Sequence, residues 1–383
     1  MPFSQLLQNP DFAANVEQGL RFDYATFRWM IRLSAWSIIS GVAVIVATGV
    51  CVLFSLRSQY AQYLTLLISW QVLRIFGAFQ AIAQAILFVA LSFWVTGLWF
   101  EVYVVKLIII AAVLAFGGVV VVIMGIFKKP DMTFHVEGTV IKPDDEHPLW
   151  GELRHLCDTV GTAPVDQVIV GIDDNFFVTE TPVTVDGKTY EGRTLFVSLS
   201  LLKQLEGREA DAVLAHEMAH FSGQDTLYTK KISPLLTRYY NYLQILYEGG
   251  ITRPFFYLIH CFLQLFQLSL NRLSRHREFR ADRISAETTS PRAVAGALLR
   301  IAAYSKYRYT VENELFQQEQ VLESADVANR IERGFPAYAL SFASDPDTSE
   351  QTTAHPFDSH PPLAQRLAAI DVPYSPEEAQ TFL

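Results

Sequence analysis

The sequence predicts an α+β protein in which N-terminal membrane-spanning helices precede a mainly helical domain with a small sheet. Three observations carry this. The chain has 383 residues, is 51% hydrophobic and yet holds a formal net charge of -9, so charge and apolarity must be segregated. Between Leu33 and Phe127 the only formal charges are Arg57, Arg74, Glu101 and Lys106. After Lys128 the chain is dense in charged residues, and its apolar positions follow first the strand period and then the helix period.

Residues 1–33 read as a polar and amphipathic N-terminal segment of cytoplasmic type. Residues 34–127 read as the transmembrane region. Ser34 to Leu56 is a run of 23 uncharged, mostly apolar residues between Arg32 and Arg57, long enough to cross a bilayer as a helix. A cleaved leader is not expected, because the run is too long and lies behind about thirty residues with no small-residue cleavage pattern. Leu107 to Phe127 is a further run, closed by Lys128 and Lys129. Tyr60 to Phe100 reads either as one span or as two with a turn near Arg74 to Gly77. Four spans in all put Arg21, Arg28, Arg32, Arg74, Lys128 and Lys129 on one side, with only Arg57 and Lys106 on the other; that asymmetry favours four over three. Three spans would put the following domain on the side opposite the N-terminus.

Residues 128–383 read as a separate domain. A helix is expected over Pro148 to Val160 and a strand over Val165 to Val170. Val183 to Val185 and Thr189 to Tyr190 flank Asp186-Gly187, a tight-turn dipeptide, and Thr194 to Ser198 alternates as a strand. A helix follows over Arg208 to Phe221, with Glu209 and Asp211 in its first turn and Gly223 just beyond its end. A hairpin around 232–271 includes Pro254 to Leu270, which is aromatic but striped with His260, Gln264 and Gln267. Such a segment suits an interfacial or half-inserted hairpin; packing on the domain itself is the alternative.

On the helix, His216 and His220 are four residues apart, so their imidazoles project from one face and can reach one Zn2+. Glu217 lies beside them, placed to hold a water and take its proton rather than to bind the ion. The surroundings Ala212 to Ala215, Met218 and Ala219 predict burial. Burying this polar group without an ion would cost several kcal/mol. A catalytic zinc needs a third protein ligand and an open position. Glu278, in Arg275-His276-Arg277-Glu278-Phe279-Arg280-Ala281-Asp282, is the preferred candidate, with His276 as the rival.

Over roughly Phe134 to Ile370 the chain resembles metallopeptidase family 48, which includes HtpX-like membrane proteases and the zinc-dependent CAAX prenyl proteases. The matching motifs are His-Glu-x-x-His with Asp five residues on (His216, Glu217, His220, Asp225) and Glu-x-x-Ala-Asp (Glu278, Ala281, Asp282). The resemblance implies a gluzincin-type domain holding one Zn2+ per chain through His216, His220 and Glu278, with Asp225 and Asp282 supporting the ligands. Ser359-His360-Pro361-Pro362 and Arg366 resemble the family's His-Pro-Pro segment, which makes His360 a stabiliser of the oxyanion and Arg366 its packing or pairing neighbour. His355-Pro356 is a second match for that segment. Asn175 falls where the family has Asn-Ala-Phe, but Phe176 replaces the alanine and leaves a catalytic role for Asn175 open.

The expectation is therefore a membrane-bound zinc endopeptidase acting on membrane or membrane-proximal proteins in quality control. As an HtpX-like protein it would be multi-pass in a bacterial inner membrane, with its catalytic domain in the cytoplasm. Its partners would be protein or peptide substrates and the lipid bilayer, with oligomerisation left open. A non-proteolytic scaffold or chaperone with structural zinc, or a prenyl-protein protease, are the alternatives. Nucleic acid is excluded by the negative charge and the lack of a clustered basic face. Cys51, Cys157 and Cys261 form no CxxC pair, so neither a disulfide framework nor a thiolate zinc site is expected.

Overall fold

A computed structural model describes residues 9–11, 21–100, 102–128, 134–143, 148–173, 175–222, 227–250, 252–317, 324–342, 360–372 and 379–382. The chain divides into two units, Met1–Pro130 with Leu235–Phe266, and Asp131–Pro234 with Gln267–Leu383.

The first unit is helical. Helices α1 (Arg21–Ser55), α2 (Gln59–Phe100) and α3 (Val105–Phe127) pack in sequence order, and these three are long and apolar enough to cross a membrane. The turn that a four-span reading places near Arg74 to Gly77 is absent: α2 is one helix of 42 residues. The stretch contains no proline, and one glycine is too weak a breaker to stop a helix. Arg74 also needs no exit, because its guanidinium bonds to Gln71 one turn back and sits over the Trp70 ring. With three spans the flanking bases divide four to three, Arg21, Arg28, Arg32 and Lys106 against Arg57, Lys128 and Lys129, so most of the charge asymmetry expected for four spans disappears.

Polar side chains tie this bundle together. Gln80 on α2 donates to the Ser37 carbonyl (2.9 Å) and to Ser40 Oγ (3.1 Å) on α1. Such bonds hold helices in an environment that offers no competing water.

The hairpin adds to the same unit through residues 235–266. It comprises α7 (Ser233–Glu248) and the start of α8 (Arg253–Thr288); α4 (Pro148–Val160), α5 (Leu199–Leu202) and α6 (Gly207–Phe221) lie in the other unit. Tyr239 Oη meets Ser69 Oγ at 2.8 Å, and Tyr239 and Tyr242 pack edge-on against Trp70 at 4.8 and 5.7 Å. Gly125 of α3 makes room: a Cβ there would lie 3.0 Å from the Tyr242 ring.

The second unit contains two small sheets and the remaining helices. Strand β1 (Phe134–His135) pairs in parallel with β5 (Val183–Val185), and β5 pairs antiparallel with β6 (Lys188–Tyr190). Asp186 and Gly187 take positive φ (49° and 76°) to make the turn between them, as the Asp-Gly pair predicts. The other sheet has the order β2 (Thr139–Ile141), β3 (Gln167–Gly171), β7 (Thr194–Ser198), β4 (Phe177–Thr179), with β3 and β7 parallel. Helix α4 (Pro148–Val160) covers it with Trp150, Leu153 and Leu156, which join Val168, Leu195 and Met218 in one apolar core.

After the short α5 (Leu199–Leu202), helix α6 (Gly207–Phe221) enters this core. Ala212, Leu214, Ala215, Met218 and Ala219 are buried, so α6 is apolar around most of its circumference. At its start the Glu209 carboxylate accepts from the Glu206 N–H (2.8 Å), and Arg300 Nε pairs with that carboxylate at 2.9 Å. Arg300 belongs to α9 (Pro291–Gln317), which packs on α6, on α10 (Ser324–Phe342) and on α11 (Leu363–Ala369).

Candidate metal centre

Three side chains converge where α6 meets the second half of α8. His216 and His220, one turn apart on α6, bring their Nε2 atoms to 3.1 Å, and their rings stand nearly perpendicular at 84°. Glu278, 7% exposed, faces both: Oε2 is 3.6 Å from His216 Nε2, and Oε1 is 3.6 Å from His220 Nε2. An ion held tetrahedrally at about 2.0–2.1 Å spaces its donors roughly 3.3–3.4 Å apart. Separations of 3.1 and 3.6 Å bracket that figure, so one ion fits among two imidazole nitrogens and one carboxylate with only small adjustments. Zinc suits this donor set.

The buried groups behind these three fix their orientation. Asp282 is fully buried and lies 3.0 Å from His216 Nδ1, so Nδ1–H donates to the carboxylate and Nε2 is turned toward the ion site. Arg366 grips Asp282 in a fork, Nε to Oδ2 at 2.8 Å and Nη2 to Oδ1 at 2.6 Å, and reaches Glu278 Oε2 at 3.5 Å. Burial raises the Asp282 carboxyl, but the Arg366 and His216 hydrogen bonds outweigh it and keep the group ionised. Glu278 behaves alike: burial opposes its charge, and bonds from His216 and His360 hold it well below the glutamate range. His360 Nδ1 is 3.3 Å from Glu278 Oε2, with 69% of the His360 side chain open to solvent.

Glu217 differs. It is 9% exposed and bonded to none of these carboxylates; burial pushes it above the glutamate range, and the neighbouring His220 and His216 only partly offset this. All these groups line one cavity of about 690 Å3, within the size range of ligand-binding pockets. Asn175 lines it as well, and Phe176, where the family has alanine, is buried in the core at 5% exposure.

Other sequence candidates separate. His276, the rival ligand, is exposed and outside the converging group. Asp225 and His355 lie outside the described residues. Cys157 is buried 3.4 Å from Met218 Sδ, Cys51 is half-buried and Cys261 exposed.

The structure also brings in residues that no spacing flagged. Arg280 donates from Nη2 to the Ala219 and Ser222 carbonyls (3.0 and 2.7 Å), closing the C-terminal end of α6. Ser285 donates to the Ala212 carbonyl at 2.6 Å. Arg277, over the Tyr228 ring at 4.1 Å, lines the cavity with it. The sequence signal for these contacts is only that all three lie on the helix that carries Glu278.

Residues 185–373 match the description of Peptidase family M48. Among curated relatives, a Protease HtpX from Histophilus somni is 25% identical over 283 residues, covering 70% of this chain and 86% of the relative. A Protease HtpX homolog from Fusobacterium nucleatum is 24% identical over 196 residues, 48% of this chain and 57% of the relative. Protease HtpX homolog 2 from Methanosarcina mazei is 28% identical over 191 residues, 46% and 62% respectively. Against the Fusobacterium protein the chain thus spans little more than half of the relative's length.

Proposed function

We propose that this chain, whose residues 185–373 match Peptidase family M48, is a zinc-dependent endopeptidase that works in a membrane on membrane or membrane-proximal proteins. The observation that carries this reading is the convergence of His216, His220 and Glu278 beside a buried, unpaired-with-carboxylate Glu217 in one cavity. His216, His220 and Glu278 would hold the ion, leaving a position open, which distinguishes a catalytic from a structural site. When bound, zinc supplies Lewis acidity toward water and the peptide carbonyl.

The protein groups do the rest. Glu217, with its proton affinity raised by burial, takes the proton of the attacking water and returns it to the leaving amine. His360, exposed at the cavity and anchored on Glu278, donates to the oxygen that gains charge as the carbonyl becomes tetrahedral. Asp282 fixes the His216 tautomer, and Arg366 keeps Asp282 ionised. We place the catalytic domain on the cytoplasmic face of a bacterial inner membrane, with quality control as its role, as the family resemblance implies; with three spans this puts residues 1–33 on the opposite face, against the cytoplasmic type read for them from the sequence.

The test uses purified, detergent-solubilised full-length protein and an unfolded protein substrate, with and without a chelator. Glu217→Gln should retain about one zinc per chain while its rate falls by roughly 10²–10⁴. Cleavage that persists in Glu217→Gln and remains chelator-sensitive would remove Glu217 from the role of base.

A further inference from the structure

Three arginines around the candidate metal centre are engaged from within. Arg366 is forked onto Asp282, Arg300 is paired with Glu209, and Arg280 is spent on two helix-end carbonyls. Arg277 is the exception among the described residues that line the cavity. Its guanidinium lies 4.1 Å over the Tyr228 ring, and Nη2 donates to Ser274 Oγ at 3.2 Å. Both partners are neutral, and no described carboxylate pairs with it.

This arginine immediately precedes Glu278 on α8 and lines the same cavity as His216 and Glu217. The aromatic ring and the serine restrict its rotamers, so little further ordering is needed to make a planar fork available. Part of the cavity wall is apolar: Val294, Ala297, Leu298 and Ile301 come from α9. The cavity therefore offers one fixed cation and one greasy face.

From this we infer that Arg277 is a specificity-determining residue, which receives a carboxylate side chain of the substrate while an apolar side chain is seated against α9. The substrate class is a peptide segment with an Asp or Glu close to the cleaved bond. Arg277 matches carboxylate in geometry as well as charge, since two parallel N–H donors meet two oxygens. This rests on the endopeptidase reading above.

The experiment uses the zinc-loaded full-length enzyme in detergent and a set of quenched fluorescent peptides, identical except that Asp, Asn or Lys is placed in turn at each position around one apolar-flanked bond. Asp should exceed Asn in kcat/KM by about tenfold to a hundredfold at one position, chiefly through KM. Arg277→Glu should invert the order at that position, so that Lys exceeds Asp, and Arg277→Gln should make Asp and Asn equal. Should wild type treat Asp and Asn alike at every position, or should either variant weaken all peptides in the same proportion, Arg277 serves only to brace Tyr228 and the inference is overturned. If zinc-loaded wild type cleaves none of the peptides nor an unfolded protein, the endopeptidase reading fails, and this inference with it.

Discussion

At the scale of the residue, the site depends on which side chains are relieved of their burial cost and which are not. Asp282 and Glu278 have cations or imidazoles at hydrogen-bond range, whereas Glu217 is left with a raised proton affinity. Asp282→Asn removes the anion that orients His216 and should weaken zinc binding by about 10–100-fold, measured by competition with a chromogenic chelator. Asp211 on α6 tests a different cost. Burial, and secondarily Glu152, raises its carboxyl above the aspartate range. A group raised on folding leaves stability intact below its unfolded value, about pH 3.9, and subtracts from it as pH climbs through the folded value. Asp211→Asn should therefore raise Tm at pH 7, on the order of 1 °C, with the gain fading toward pH 4 in paired thermal scans. The two metal motifs were legible because i,i+4 spacing dictates a common helix face. Arg277 and Arg280 were not, since sequence periodicity does not say which distant carbonyl or ring an arginine will meet.

At the scale of the element, α6 illustrates what patterns reveal. Its limits and its burial follow from the Ala- and Leu-rich stretch and the acidic first turn, and the Asp186-Gly187 turn was likewise readable. Its fastening was hidden, since Arg300 clamps the start and Arg280 the end from helices far along the chain. Arg280→Ala leaves two helix-end carbonyls without that donor and should cost about 2 kcal/mol, or roughly 4–8 °C in Tm, checked by differential scanning calorimetry of the zinc-loaded protein. The length of α2 was misjudged for a related reason. Arg74 reads as a boundary in a hydropathy pattern, yet Gln71 and Trp70, one turn back on the same helix, give it partners without leaving the helix.

At the scale of the whole molecule, the sequence separated an apolar region from a charged one, but the division of the chain is not a single cut. Residues 235–266 belong with the N-terminal helices, held by the Ser69 to Tyr239 bond and the Trp70 contacts. A truncated chain beginning at Lys128 keeps Tyr239, Tyr242 and the rest of this hairpin but loses their partners. It should aggregate without detergent, and size-exclusion chromatography that instead shows a monodisperse detergent-free species would count against the grouping. The contributions to the candidate metal centre are spread just as widely along the chain: α6 supplies two histidines, α8 a glutamate and an aspartate, and residues 360 and 366 a histidine and an arginine. During translation the ribosome releases these in that order. A nascent chain that has not reached Arg366 carries His216, Glu217 and His220 but leaves Asp282 without its counter-ion, so on the endopeptidase reading proposed above the site is completed only late in synthesis.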